Sequence, residues 1–322
     1  MPPGSKVLVE KSLETLLPDT VKAFEFRDQQ RIWSEPDSRI NPFSADYILA
    51  RKTVYLETVI SHATAIWQTN AEDDDDQGRL VLLKNICKRP EKCLEPPDQP
   101  SPDPDEYAQM MHVKGGAHLY VDQYDTRKTV RLGDFAIHKY EVNFAQYAAF
   151  LNEMNLDFEK AGRLFSIADP SSKIVYHEGR YRVIKGAAKL PVFNVSWHGA
   201  KAYCEHYHFR LPTTAEWQHA ARGKDGRTYP WGESLDFESR ANLAGDRDGY
   251  RFWAPVDSFP EGASPSGAFN MAGNVYEWLD NSMLMGGSWD QEPDWARTFI
   301  VEANKPQARN THNGFRCARD AK

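Results

Sequence analysis

The sequence predicts an α+β chain in which a smaller, mainly helical N-terminal region (residues 1–93) and a Pro/Asp-rich linker (94–108) precede a loop-rich mixed domain (109–322). Three observations predict it. Tyr47, Ile48, Val54, Tyr55, Val59, Ala63, Ile66 and Trp67 recur at roughly helical intervals behind Ser44, a candidate cap. Residues 94–106 set five prolines among acidic side chains, and proline, lacking an N–H, sustains neither helix nor sheet. From about Met110 the chain turns to short apolar runs, glycine turns and aromatic residues.

Along the chain, Glu72-Asp-Asp-Asp-Asp76 repels itself and reads as a solvated loop, with a calcium-binding run as the alternative. Cys87 and Cys93 flank a short loop and are either a local disulfide or two free thiols. Residues 130–137 are the best strand candidate. Phe144, Tyr147 and Leu151 mark one helix, and Trp197, Ala200, Tyr203, Cys204 and Tyr207 a second. A third starts where Thr213 precedes Glu216 by three residues, the spacing of a capping box. Beyond Gly223 almost nothing is periodic, so ions or dense aromatic packing must hold the loops in place.

A chain of 322 residues with 41% hydrophobic content has enough apolar material for a buried core. Its net charge of −7 and pI near 5.8 argue against a nucleic-acid partner, which needs a clustered basic surface. No apolar run is long enough for a membrane span, and residues 1–6 lack the apolar stretch of an export leader.

Two loops carry oxygen ligands. Asn242, Asp246 and Asp248 lie close together beside Gly249, and Asn270 and Glu277 bracket a second loop. Calcium takes six to eight oxygens from such curled loops, whereas an Asx-turn would use the same residues without an ion. His198, His206, His208 and His219 lie near one another but lack the spacing of a metal site. Gly115-Gly116 and Gly286-Gly287 sit in no phosphate-binding motif, and Ser288 in no nucleophile elbow.

An ordered set of motifs covers residues 110 to the C-terminus. It runs Tyr140-Glu-Val142 with Gln146-Tyr147, Pro191-Val-Phe-Asn-Val-Ser-Trp197, Ala202-Tyr-Cys204, Arg210-Leu-Pro-Thr-Thr-Ala-Glu-Trp217, Tyr229-Pro-Trp-Gly232 and Ala254-Pro-Val256. It ends with Asn270-Met-Ala-Gly-Asn-Val-Tyr-Glu-Trp278, Gly286-Gly-Ser-Trp289 and Gly314-Phe-Arg-Cys317. Together these resemble the formylglycine-generating-enzyme (sulfatase-modifying factor) family, whose fold is related to C-type lectins.

The resemblance implies one or two structural calcium ions. The matching ligands are Asn242, the Leu243 carbonyl, Asp248 and the Tyr250 carbonyl in one loop, and Asn270, the Gly273 and Val275 carbonyls and Glu277 in the other, with Glu141 as a further acid. It also implies a disulfide between Cys204 and Cys317. Enzymes of the family bind copper(I) through two cysteines after the Gly-Gly-Ser motif. Here those positions are Gln291 and Ala296, and neither an amide nor a methyl replaces a soft thiolate. Iron-binding relatives carry an HxxxH-x-E pattern, and this N-terminal region holds only His62. Neither copper nor iron is therefore expected.

The resemblance also extends to non-catalytic relatives that bind through the lectin-like surface. The equivalent surface here is residues 289–313, with Ser288, Trp289, Asp290, Gln291, Glu292, Trp295, Arg309 and His312 as candidate ligand contacts. The expected function is a calcium-stabilised binding or scaffold protein for a protein, peptide or glycan. The alternative is an enzyme with other chemistry, a non-copper oxidase or maturation factor. The N-terminal region would dock a partner protein. Calcium and the cysteine pair suit a periplasmic or extracellular location, and the lack of a visible leader keeps the cytoplasm as the alternative.

Overall fold

In a computed structural model, five strands between residues 6 and 85 are described by their backbone, and residues 109–321 more fully, apart from positions 123, 125, 168, 170 and 178. The chain divides into two compact units, Met1–Pro97 with Ile167–Lys185, and Asp98–Ser166 with Gly186–Lys322. The linker 94–108, the acidic run 72–76, Cys87 and Cys93 lie outside the described residues.

The first unit holds β1 (Lys6–Glu10), β2 (Gln30–Ser34), β3 (Tyr47–Arg51), β4 (Ala63–Gln68) and β5 (Leu80–Asn85) in one sheet of order β2-β1-β3-β5-β4. β1 runs parallel to β2 and β3, while β5 runs antiparallel to β3 and β4. This corrects the helix expected over residues 44–67, because Tyr47–Arg51 and Ala63–Gln68 are strands. The physical reason is that apolar runs of four or five residues fit a buried strand as well as a helix face, and pairing partners decide between them.

The second unit begins with β6 (Met110–Val113), β7 (Gly116–Val121), β8 (Arg127–Leu132) and β9 (Phe135–His138). The single strand expected at 130–137 is thus two, broken at Gly133-Asp134, where Asp134 Oδ1 accepts a hydrogen bond from the Gly115 amide at 2.9 Å. Helices α1 (Phe144–Glu153) and α2 (Phe158–Leu164) follow. The hairpin of β10 (Ile174–His177) and β11 (Arg180–Val183) belongs to the first unit. The second unit resumes with α3 (Trp197–His206), α4 (Thr214–Arg222), β12 (Tyr276–Trp278), β13 (Met283–Met285), β14 (Val301–Ala303), β15 (Asn313–Gly314) and β16 (Ala318–Asp320). No helix among the described residues is long and apolar enough to cross a membrane.

The three expected helices are α1, α3 and α4, and α2 is an addition. The predicted capping box forms at α4: the Glu216 amide donates to Thr213 Oγ1 (3.2 Å), and the Thr213 amide to Glu216 Oε2 (2.9 Å). α1 has a second such box, in which Asn143 Oδ1 accepts from the Gln146 amide (2.9 Å) and Gln146 Oε1 from the Asn143 amide (3.0 Å). Aromatic packing supplies the core. Phe144 meets Phe193 edge-on at 4.9 Å, and Tyr147 meets Phe165 at 5.6 Å. A second cluster gathers Phe135, Ile137, Trp217, Met271, Leu279 and Met285.

Cys204, buried in α3, is bridged to Cys317, which immediately precedes β16, with Cα atoms 5.7 Å apart and a sequence separation of 113. Such a bridge shrinks the unfolded ensemble. Replacing both cysteines by alanine is expected to cost about 2–4 kcal/mol, read as a lower denaturation midpoint with an unchanged fold by circular dichroism.

His138 is buried, and burial together with the neighbouring Arg316 and Arg319 charges lowers its pKa to about 3. The unfolded imidazole takes its proton near pH 6.5, so between there and pH 3 the unfolded chain holds the extra proton. Stability therefore falls with pH across that window, by about 1.4 kcal/mol per unit. His138→Phe is expected to remove about 2 kcal/mol of the loss between pH 7 and pH 5, measured by urea unfolding at both values.

Candidate functional site

The two oxygen-rich loops lie back to back. Gly273 has φ +80°, and a Cβ there would come within 2.2 Å of the Asn242 carbonyl oxygen, so only glycine allows the loops to approach. The Asn274 amide then donates to Asn242 O at 2.8 Å. On its other side the Asn270 loop holds the Gly-Gly-Ser segment, with the Gly273 amide donating to Gly286 O (2.7 Å) and the Trp289 amide to Asn274 O (3.0 Å). The two loops are thus tied to residues 286–289 by backbone hydrogen bonds.

In the first loop, Asn242 Nδ2 donates to Phe252 O (2.7 Å) and Asn274 Oδ1 (3.0 Å), while its buried Oδ1 has no hydrogen-bond partner. Asp248, half-buried, accepts from the Leu243 amide (3.0 Å) and the Tyr250 amide (2.8 Å). Burial raises its pKa against the pull of those amides. An orphaned amide oxygen, a carboxylate with spare lone pairs and the nearby Leu243 and Tyr250 carbonyls make a donor set that fits a calcium ion.

The second loop repeats the pattern in part. Asn270 Nδ2 donates to Glu141 Oε2 (2.8 Å) and Val256 O (3.1 Å), leaving its buried Oδ1 unpartnered. Glu277, fully buried, is already engaged. Its Oε2 accepts from Trp217 Nε1 and Arg316 Nε, both at 2.7 Å, and its Oε1 accepts from Arg316 Nη2, also at 2.7 Å. Three donors leave one lone pair of the carboxylate for an ion. Glu277 pairs with the Arg316 guanidinium, whereas the Glu141 carboxyl is held by the Asn270 and Asn274 side-chain amides. Burial pushes the Glu141 carboxyl up to about 8 while Arg316 pulls it down. Asn270 Oδ1, Glu141 and the Gly273 and Val275 carbonyls supply the other oxygens, and the set fits calcium with Glu277 as a weaker member.

Gln291 precedes the short 3₁₀ turn Pro293–Ala296, and Ala296 is its last residue. The Gln291 carbonyl accepts from the Ala244 amide at 3.0 Å, and Ala296 is fully buried against Ala241, Leu243 and Ala272. Position 291 carries an amide and position 296 a methyl, neither of them a thiol. Both cysteines of the described residues are spent in the disulfide.

The candidate ligand contacts divide by burial. Ser288 and Trp289 lie inside at 0% and 5% exposure, Trp289 packed on Phe252 (5.1 Å) and Trp253 (5.6 Å), so they support the surface from beneath. Asp290, Gln291, Glu292, Trp295 and His312 reach the surface, and Trp295 is 45% exposed. Arg309 is exposed but donates to the Gly162 carbonyl of α2. Ser288 Oγ donates to Asp290 Oδ1 at 2.5 Å, and His312 Nδ1 stands 3.4 Å from Asp290 Oδ2, a charge contact without a formed hydrogen bond. Burial opposes ionisation of Asp290, but His312 and Ser288 outweigh it and hold its carboxyl below the usual range.

Arg316, Asn274 and a cavity of about 280 Å³ lined by Thr228, Tyr229, Glu233, Leu235, Arg297 and Phe299 were not singled out by sequence reasoning. Only the Gly314-Phe-Arg-Cys317 and Asn270–Trp278 motifs pointed near the first two. Of the four clustered histidines, His219 pairs with His118 (Nδ1 to Nδ1, 3.1 Å), and no group of three His, Cys, Asp or Glu side chains among the described residues is placed to hold a metal.

Residues 96–321 match the sulfatase-modifying factor enzyme 1-like domain. The serine/threonine-protein kinase pkn1 of Chlamydia caviae is 27% identical, covering 98% of this chain and 57% of the kinase. The inactive C-alpha-formylglycine-generating enzyme 2 of Bos taurus is 36% identical, covering 43% of this chain and 53% of that protein. The chain thus spans little more than half the length of either relative. Among solved structures, PvdO from Pseudomonas aeruginosa superposes with a TM-score of 0.54 at 22% identity, covering 66% of this chain and 94% of that one, a likeness of fold.

Proposed function

Since the chain belongs to the sulfatase-modifying factor enzyme 1-like family, we propose that it is a non-catalytic, calcium-stabilised binding or scaffold protein that recognises a protein, peptide or glycan through residues 290–312. One observation carries this reading. The two oxygen-rich loops hold two buried, unpartnered amide oxygens, Asn242 Oδ1 and Asn270 Oδ1, while Gln291 and Ala296 stand at the positions that the resemblance matches to the enzymes' copper cysteines. Bound calcium would supply positive charge that orders both loops, and through the Gly273 and Asn274 backbone bonds the ordering reaches residues 286–289. A surface already ordered loses less entropy when it binds. Trp295, a half-exposed aromatic in the 3₁₀ turn, is the natural anchor.

On peptide and glycan arrays, the protein in calcium is expected to retain a defined subset of ligands, and both a chelator and Trp295→Ala should weaken retention at least tenfold. Retention that ignores both changes would defeat the proposal. The enzyme reading rests on Ser288, Asp290 and His312, but Asp290 stands between the other two, so His312 does not take the Ser288 proton directly. Turnover of a thiol or metabolite substrate that Asp290→Asn abolishes would put that reading first.

A further inference from the structure

The two oxygen-rich loops share a set of buried polar side chains. Asn242, Asn274, Glu141 and Asn270 form a continuous hydrogen-bonded chain, and each is at most 3% exposed. Asn242 Nδ2 donates to Asn274 Oδ1 at 3.0 Å, and Asn274 Nδ2 donates to Glu141 Oε1 at 2.9 Å. Asn270 Nδ2 donates to Glu141 Oε2 at 2.8 Å. The backbone of Ala254 clamps Asn274 further, its N–H donating to Oδ1 (3.0 Å) and its carbonyl accepting from Nδ2 (3.2 Å). Every donor and acceptor of the Asn274 amide is thereby used in one orientation only.

The polarity of this chain faces the loops. With both Nδ2 groups donating into the bridge, Asn242 Oδ1 in the first loop and Asn270 Oδ1 in the second are both left unpartnered. Turning either amide over would set donor against donor or acceptor against acceptor somewhere along the bridge. An ion on one oxygen also polarises its own N–H groups and strengthens the next bond in the chain. We infer that the two loops form one coupled ion-binding unit, in which the Asn274 amide and the Glu141 carboxylate carry occupancy of either loop to the other. The inference rests on the calcium reading above and adds positive cooperativity to it.

Calorimetric titration of the chelator-stripped full chain with calcium chloride tests it. Two ions are expected to bind with a Hill coefficient above one. Asp248→Asn alters a first-loop ligand that touches only the Leu243 and Tyr250 amides, and it should lower affinity at the remaining site about fivefold or more. In an Asn274→Gly background, where glycine accepts the backbone φ of +62°, the same substitution should leave that affinity unchanged. Two ions binding independently, with Asp248→Asn silent at the second site, would overturn the coupling and leave the calcium reading intact. Uptake of one ion also overturns it, and uptake of none overturns both. The comparison of the wild type with Asp248→Asn decides the matter even if Asn274→Gly fails to fold.

Discussion

Arg316→Met is expected to be among the most damaging single substitutions in the second unit, lowering its stability by about 3–5 kcal/mol and its melting temperature by roughly 6–20 °C. All five N–H groups of this fully buried guanidinium are used. Nε and Nη2 hold Glu277, the second Nη2 hydrogen reaches Phe269 O (2.6 Å), and Nη1 bridges the carbonyls of His138 (3.0 Å) and Lys139 (3.1 Å). Methionine fills much of the volume but leaves the buried Glu277 carboxylate without its counter-charge and takes a donor from three carbonyls, of which Lys139 O still accepts from the Phe269 amide at 2.8 Å. Arg316→Lys keeps the charge and loses the fork, so an intermediate loss is expected. Adding Glu277→Gln to Arg316→Met should recover part of the deficit, because the stranded charge is removed. Thermal melts at pH 7 followed by circular dichroism measure all three.

Chelation is expected to produce an effect of similar size by another route. An ion held at a hundredfold excess over its Kd stabilises the folded state by about 2.7 kcal/mol, so two ions contribute about 5 kcal/mol. In a domain of this size that corresponds to a fall in melting temperature of about 10–20 °C on adding EGTA. Calcium should restore the transition, and magnesium should not, since its small octahedral shell suits neither loop. Asp248→Asn should shrink the calcium-dependent shift. Superimposable melting curves with and without EGTA would exclude structural calcium.

Much of the second unit was legible beforehand where the deciding interactions are short-range. The capping box of Thr213 and Glu216 spans three residues and appears where expected, and α1 and α3 follow their apolar spacing. The N-terminal region was read differently because its signal is ambiguous over short windows. Tyr47–Arg51 becomes a strand by pairing with Val7–Val9 on one side and Leu80–Lys84 on the other, partners that local periodicity does not reveal.

The candidate site shows the same division. The Cys204–Cys317 bridge, implied by the family resemblance, forms, and the absence of cysteine at 291 and 296 follows from residue identity alone. Ser288 and Trp289 read as surface contacts by their position and turn out buried, because Phe252 and Trp253 arrive from a distant loop to cover the indole. The one-sided use of Glu277 depends on Arg316, 39 positions away, and the bridge between the loops depends on Glu141, 133 positions before Asn274. Residue types determined which oxygens and which thiols this protein has. Tertiary structure alone decided which of those oxygens are already satisfied and which still lack a partner, because buried hydrogen bonds are shared out only once distant segments are packed together.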